Sequence, residues 1–188
     1  MTNNVIVIEF ITLDGVVEDP DGSGAMPTGG WAFRHGPEAV AGDKFELGPL
    51  LDTGVMLLGR TTWELFGKIW PGRTDEFSTK LNNIPKLVVS RSLTSADGWQ
   101  NSSLIEGDLI AAVRRRTADQ DVIITGSISV VHTLAQHGLI DEYRLMVFPT
   151  LVGTGQRLFT DETPPADLRL TSVEQKGAGA LLRYRKAG

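Results

Sequence analysis

The sequence contains no cysteine among its 188 residues. Disulfides, thiolate metal sites and a cysteine nucleophile are therefore excluded, and a cytoplasmic location is expected. Basic residues are not in excess: 18 Lys and Arg against 23 Asp and Glu leave a net charge of −5. That balance argues against a sequence-independent grip on nucleic acid, while leaving room for a local basic pocket that takes a phosphate. No apolar run reaches membrane-spanning length, since "LIDEYRLMVFPTLV" is interrupted by charges and proline. The amino terminus, "MTNNVIVIEF", lacks a basic region ahead of its short apolar stretch and reads as a first strand rather than a leader. His35, His132 and His137 show no metal-ligand spacing with carboxylates, so no metal is expected. Ser127 lacks the Gly-x-Ser-x-Gly elbow of a hydrolase nucleophile. There is neither an internal repeat nor a low-complexity tail.

What is present is an alternation of apolar runs and amphipathic segments. With 41% hydrophobic and 22% charged residues, the composition is that of a globular protein. Strands are expected over Val5–Thr12, Val55–Leu58, Lys86–Ser90, Trp99–Leu104, Asp121–Thr125 and "DEYRLMVFP". Two more are expected between Leu168 and Lys186, around the "KGAGA" turn. Helices are expected over Pro37–Leu51, from Thr61 onward, over Asp75–Leu81, over Gly107–Thr117 with Arg114, Arg115 and Arg116 in its last turn, and over Ser127–His137. "TTWE" matches a capping box, with Thr61 as cap and Glu64 reaching back. The order implies one domain over residues 1–188 of α/β class: three layers, with helices on both faces of a mixed, mostly parallel sheet that ends in an antiparallel hairpin. A Gly/Pro/Asp-rich loop from Asp14 to about Gly36 carries Met26, Trp31 and Phe33. Its length and apolar content predict a loop folded over a site.

Four strand ends are candidates for chemistry. In "LLGRTTWE", Gly59 permits close backbone approach, Arg60 adds a cation, and Thr61 and Thr62 add hydroxyls at a helix N-terminus suited to an anion. The alternative is a plain capped helix. "VIITGSISVV" repeats the arrangement with Thr125, Gly126, Ser127, Ile128 and Ser129, and matches neither the Walker A nor the GxGxxG pattern. Two such turns on parallel strands suit a diphosphate. In "VVSRSL", Ser90 and Arg91 form either a polar strand end or a pair suited to a ribose 2′-phosphate. In "PTLVGTGQRLF", Gly153 and Gly155 either approach a ligand or form a turn. Asp14 and Gly15 form either a turn or a substrate-side carboxylate.

Together these junctions resemble the dihydrofolate reductase fold. "LLGRTTWELFG" is similar to that family's strand–Gly-Arg-x-Thr-Trp–helix segment, and "KLVVSRSL" to its next nucleotide-binding strand. "TLDGVVE" and "VIITGSISVVHTLAQHGLIDEYRLMVFPTLVGTGQRLF" resemble the reductase domain of bacterial riboflavin biosynthesis and its stand-alone relatives. The resemblance covers nearly the whole chain. It implies NADPH as cofactor, held by Gly59, Arg60, Thr61 and Thr62, by Ser90 and Arg91 at the 2′-phosphate, and by Thr125, Gly126, Ser127, Ile128 and Ser129. It places Asp14 and Gly15 near nicotinamide and substrate. The chain departs from dihydrofolate reductases in "PTGGWAFRHGPEAVAGDKFELG", where no motif places the pteridine carboxylate and Asp43 and Glu46 match only by rough position.

The activity so implied is hydride transfer to an imine or carbonyl carbon of a small-molecule substrate, pterin- or aminopyrimidine-like among heterocycles. Asp14 is the expected proton donor, and Gly15, Trp31 and Phe33 are expected to line the substrate pocket. The competing expectation is a nucleotide-binding module without catalysis. Neither nucleic acid nor membrane is an expected partner. A homodimer is expected through the apolar strand "EYRLMVF", as related reductase domains pair.

Overall fold

In the computed structural model, which describes residues 3–187 and leaves the side chains of 42–46 outside the described set, the apolar runs assemble into one eight-stranded sheet. The chain runs β1 (Val5–Thr12), α1 (Pro37–Leu47), β2 (Val55–Gly59), α2 (Arg60–Ile69), α3 (Glu76–Asn83), β3 (Lys86–Val89) and β4 (Ser102–Leu104). It continues through α4 (Leu109–Arg116), β5 (Val122–Ile124), α5 (Ile128–Gln136), β6 (Glu142–Phe148), β7 (Leu168–Lys176) and β8 (Gly179–Lys186). The strand order is β4-β3-β2-β5-β1-β6-β8-β7. Strands β1 to β6 pair in parallel, so their carboxyl ends share one edge of the sheet. The last two strands close the other side as an antiparallel hairpin.

Both faces of the sheet are covered, which is why its inner strands read as continuous apolar runs. Ile6, Ile8, Met56, Leu58 and Ile123 pack against Leu47, Trp63 and Leu81 on the face of α1, α2 and α3. Residues of opposite parity, Val7, Leu57 and Ile124 among them, pack against Val113, Val131 and Leu134 of α4 and α5. These layers match the three-layer expectation.

Several boundaries differ from expectation, each for a local reason. The helix from Pro37 ends at Leu47 and tightens into a 3₁₀ turn over Gly48–Asp52. Gly48 and Pro49 supply the break, because proline has no N–H to continue the ladder. The strand expected from Trp99 pairs only from Ser102. Trp99 instead turns inward and donates its indole N–H to Asn82 Oδ1 at 2.7 Å. Buried Lys86 lies over the Trp99 ring at 4.3 Å and donates to the carbonyls of Asn82, Ile84 and Gln100. Burial pushes its pKa down to about 8. The capping box at Thr61 does not form. Helix α2 starts one residue earlier, at Arg60, with Gly59 as its cap residue, so Thr61 stands inside the first turn with its side chain exposed.

Candidate functional site

The carboxyl ends of β1, β2 and β5 are tied to one another by three hydrogen bonds. The Gly59 N–H donates to Ser127 Oγ at 2.9 Å, and Thr62 Oγ1 donates to the Gly126 carbonyl at 2.9 Å. The Gly126 N–H donates to Glu9 Oε1 at 2.6 Å. Gly126 has φ +69°, and a Cβ there would meet Thr62 Cγ2 at 3.0 Å, so both backbone conformation and space call for glycine. The two glycine-containing turns singled out in the sequence are therefore one connected unit.

The helices that start at this edge differ from their neighbours in how they begin. Asp75 caps α3 by accepting from the Ser78 N–H, and Asp108 caps α4 by accepting from the Ala111 N–H. Neither α2 nor α5 has a side-chain cap or an acidic residue in its first turn. Their first-turn N–H groups and positive dipole ends are left uncompensated by side chains, which is the electrostatic setting of an anion site. Arg60 and Arg91 are exposed and make no ion pair among the described residues. Ser90 Oγ accepts from the N–H groups of Ser92 and Leu93 at 3.1 and 3.0 Å, which shapes the turn carrying Arg91 beyond β3.

Beside this edge lies a cavity of about 490 Å³, within the range of small-molecule sites. Phe10, Phe66, Trp70 and Phe77 form much of its wall, with Phe66 and Trp70 in edge contact at 6.1 Å and Trp70 and Phe77 at 5.6 Å. Thr61, Thr62, Thr125, Gly126 and Ile128 border it on the cofactor-candidate side. The loop after β1 contributes Glu18, Asp19 and Asp21, and Phe33 reaches the wall while remaining 58% exposed. Gly59, Arg60, Ser90, Arg91, Ser127 and Ser129 do not line the cavity.

Three residues expected at the pocket, Trp31, Asp14 and Gly15, are placed elsewhere. Trp31 is fully buried, edge-on to Phe148 at 5.5 Å, with its indole N–H donated to the Glu18 carbonyl at 2.8 Å. It supports the loop from beneath and does not line the cavity. Asp14 also lies off the cavity wall. Its carboxylate accepts from Thr12 Oγ1 at 2.6 Å, from the Gly153 N–H at 2.7 Å and from the Val152 N–H at 3.2 Å. The Thr12 hydroxyl above all, helped by those N–H groups and opposed by burial, holds its carboxyl below the ordinary carboxylate range. That makes Asp14 a poor proton donor and a good loop anchor. Gly15, at φ +86°, forms the turn itself and accepts from the Leu158 N–H at 3.1 Å, away from the cavity.

The late "LVGTGQRLF" segment is a turn that clasps this loop. The Val17 N–H donates to the Gln156 carbonyl, and the Gln156 N–H to Glu18 Oε2 at 2.7 Å. The Arg157 guanidinium donates to the Asp14 carbonyl. Gly155, at φ +126°, leaves no room for a Cβ, which would meet Val16 at 2.8 Å. Glu9 was not singled out in the sequence, although a lone charge within "VIVIEFIT" is a signal that the strand passes a site. Phe66, Trp70 and Phe77 were not singled out either. The side chains of Asp43 and Glu46, the candidate carboxylates, lie outside the described set. Among the described residues no cluster of three metal-ligating side chains occurs, and no helix is long and apolar enough to cross a membrane.

Comparison with known proteins agrees with this architecture. The family model described as RibD C-terminal domain matches residues 3–182. The uncharacterised protein YyaP of Bacillus subtilis (strain 168) is 25% identical over 193 residues, covering 96% of each chain. A structure from Shewanella sp. PV-4, assigned provisionally as a riboflavin biosynthesis protein, superposes with TM-score 0.76 at 20% identity over the full length of both chains. The Thermotoga maritima diaminohydroxyphosphoribosylaminopyrimidine deaminase/5-amino-6-(5-phosphoribosylamino)uracil reductase superposes with TM-score 0.61 at 16% identity. That match takes in 99% of this chain and 57% of the Thermotoga chain. The shared fold is the dihydrofolate reductase-like one.

Proposed function

The chain belongs to the RibD C-terminal domain family, and on that premise we propose that it is an NADPH-dependent reductase of a small heterocyclic or carbonyl substrate. The observation that carries the reading is the pair of uncapped helix starts, α2 and α5, tied together beside a 490 Å³ cavity. These residues fit an anionic dinucleotide. Gly126 sits where a Cβ would strike Thr62, the two first turns hold no acidic side chain, and Arg60 and Arg91 supply cations. First-turn N–H groups of α2 and α5 hold the diphosphate, with Thr61 and Ser129 hydroxyls beside them. Arg91, presented by the Ser90 turn, takes the ribose 2′-phosphate.

NADPH, when bound, supplies the hydride for reduction of a C=N or C=O carbon. The chain's own contribution is positioning and exclusion of water. The aromatic wall stacks a planar ring, and the loop clasped by residues 150–158 covers it. With Asp14 committed to the Val152 and Gly153 backbone, Glu9 is the carboxylate on the cavity wall nearest the strand ends. The same commitment of Asp14 favours the second reading, a nucleotide-binding module without turnover.

Loss of NADPH absorbance across a panel of aminopyrimidines, pterins and aldehydes separates the two readings. Cofactor binding is tested first. At 100 times its dissociation constant a ligand stabilises by about 2.7 kcal/mol, or roughly 5–10 °C for a domain of this size, and NADPH is expected to exceed NADH. No shift with either cofactor overturns the assignment. The same proposal includes a cytoplasmic homodimer. Strand β6, through which the dimer was expected, is paired on both sides, with β1 and with β8, and offers no edge to a second copy. Strand β7, one of the two edge strands of the sheet, exposes Leu168, Leu170 and Val173 by 37%, 48% and 57%. Light scattering of the purified chain gives the mass directly.

A further inference from the structure

The cavity wall has a sign as well as a shape. Three carboxylates, Glu18, Asp19 and Asp21, stand on the loop side, and Arg73 is the one basic wall residue among those described. The carboxylates are held there by backbone. Glu18 Oε2 accepts from the Gln156 N–H at 2.7 Å, Asp19 Oδ1 from the Gly24 N–H at 2.7 Å, and Asp21 Oδ1 from the Ser23 N–H at 3.1 Å. None of the three forms an ion pair among the described residues. Arg73 is itself engaged, with its guanidinium 4.8 Å from the Trp70 ring centre. The loop side thus keeps its charge, facing an aromatic wall that favours planar and cationic rings.

We infer that this cavity selects a planar substrate without a phosphate, neutral or cationic, and discriminates against phosphorylated forms of the same ring. The inference rests on the reductase reading for what the cavity is for, and separates the chain from the Thermotoga relative, whose name carries a phosphoribosyl substrate. A phosphate dianion brought near three fixed carboxylates meets repulsion that water and salt screen only in part, and a discrimination of about tenfold is the expected scale.

The test is a binding comparison on the full chain, by quenching of tryptophan fluorescence with Trp70 in the wall. The probes are 5-amino-6-ribosylaminouracil and its 5′-phosphate, each titrated with and without NADPH. The nucleoside is expected to bind at least tenfold more tightly, with the gap narrowing in high salt and in the double variant E18Q/D21N. Should that variant lose its fold by circular dichroism, D21N alone carries the comparison, since Asn keeps the Ser23 contact. Equal or tighter binding of the phosphate overturns the inference, as does a gap that neither salt nor charge removal changes. Absence of binding by both probes alongside normal NADPH binding overturns the inferred substrate class and leaves the cofactor assignment standing. Nucleoside preference without any NADPH binding does the reverse.

Discussion

Replacing Ser127 with alanine tests whether the two glycine turns act as one unit. Ser127 is 3% exposed, and its Oγ accepts the Gly59 N–H at 2.9 Å, at the point where β2 becomes α2. The substitution removes that acceptor and leaves a backbone donor without its partner, which costs about 1–3 kcal/mol. For a domain of this length the melting temperature is expected to fall by roughly 2–4 °C for each kcal/mol. Cofactor affinity is expected to fall as well, because Ser127 positions the starts of both uncapped helices. Thr62→Val removes the second tie, from Thr62 Oγ1 to the Gly126 carbonyl, while preserving shape. If the two ties hold the same pair of turns, the double variant S127A/T62V deviates from additivity by about 0.5–3 kcal/mol. The assay is a denaturant melt of the four proteins, each repeated with saturating NADPH. Stability and NADPH affinity both unchanged in S127A would refute the coupling of the turns.

Three further outcomes are expected. Arg91→Ala lowers NADPH affinity roughly tenfold or more, the scale of one charge-assisted hydrogen bond, and leaves NADH affinity unchanged; equal losses for both cofactors would remove Arg91 from the 2′-phosphate. Asp14→Asn flattens the acid limb of the stability curve. The Asp14 carboxyl titrates below its ordinary value in the folded chain, so its stabilisation is full above the unfolded pKa of about 3.9 and disappears as pH falls through the folded value; an acid limb identical to wild type would contradict that. For Lys86 the sign is opposite to that of a paired lysine: with a folded pKa of about 8, the unfolded chain holds its proton more tightly. The stability of wild type relative to Lys86→Met is therefore expected to rise between about pH 8 and 10.5, and a flat difference in urea melts across that range would rule it out.

How much of this was legible beforehand depends on whether the deciding contacts were local. Val55–Leu58 and Asp121–Thr125 were readable because strands buried on both faces must be apolar throughout. The anion-binding reading of "LLGRTTWE" and "VIITGSIS" also needed only local order: a strand, a glycine and a helix. Thr61 was misread as a cap because the residue that holds the helix start, Ser127, lies 68 positions away from Gly59. Trp31 and Asp14 failed as pocket residues for the same reason. One is fixed by Phe148 and the other by Val152 and Gly153, and nothing near them in the chain announces those partners. Gly48 and Pro49 are the counterexample, since the break they impose on α1 is local and was available to be read.

The position of β1 has a consequence for synthesis on the ribosome. It precedes the other seven strands of the sheet, yet its partners begin at Val122 and Glu142. At a translation rate of about 5–20 residues per second, the nascent strand "VIVIEFIT" waits roughly 6–20 s before β5 exists to receive it. During that wait β2, β3 and β4, which pair in parallel with one another in the finished sheet, are already made, and β1 is an apolar segment without its sheet partners. Its own loop waits longer still, until Val152 and Arg157 emerge to fasten Asp14. Cavity closure therefore waits for residues 150–157, and truncated chains ending before residue 150 would carry both turns and no clasp.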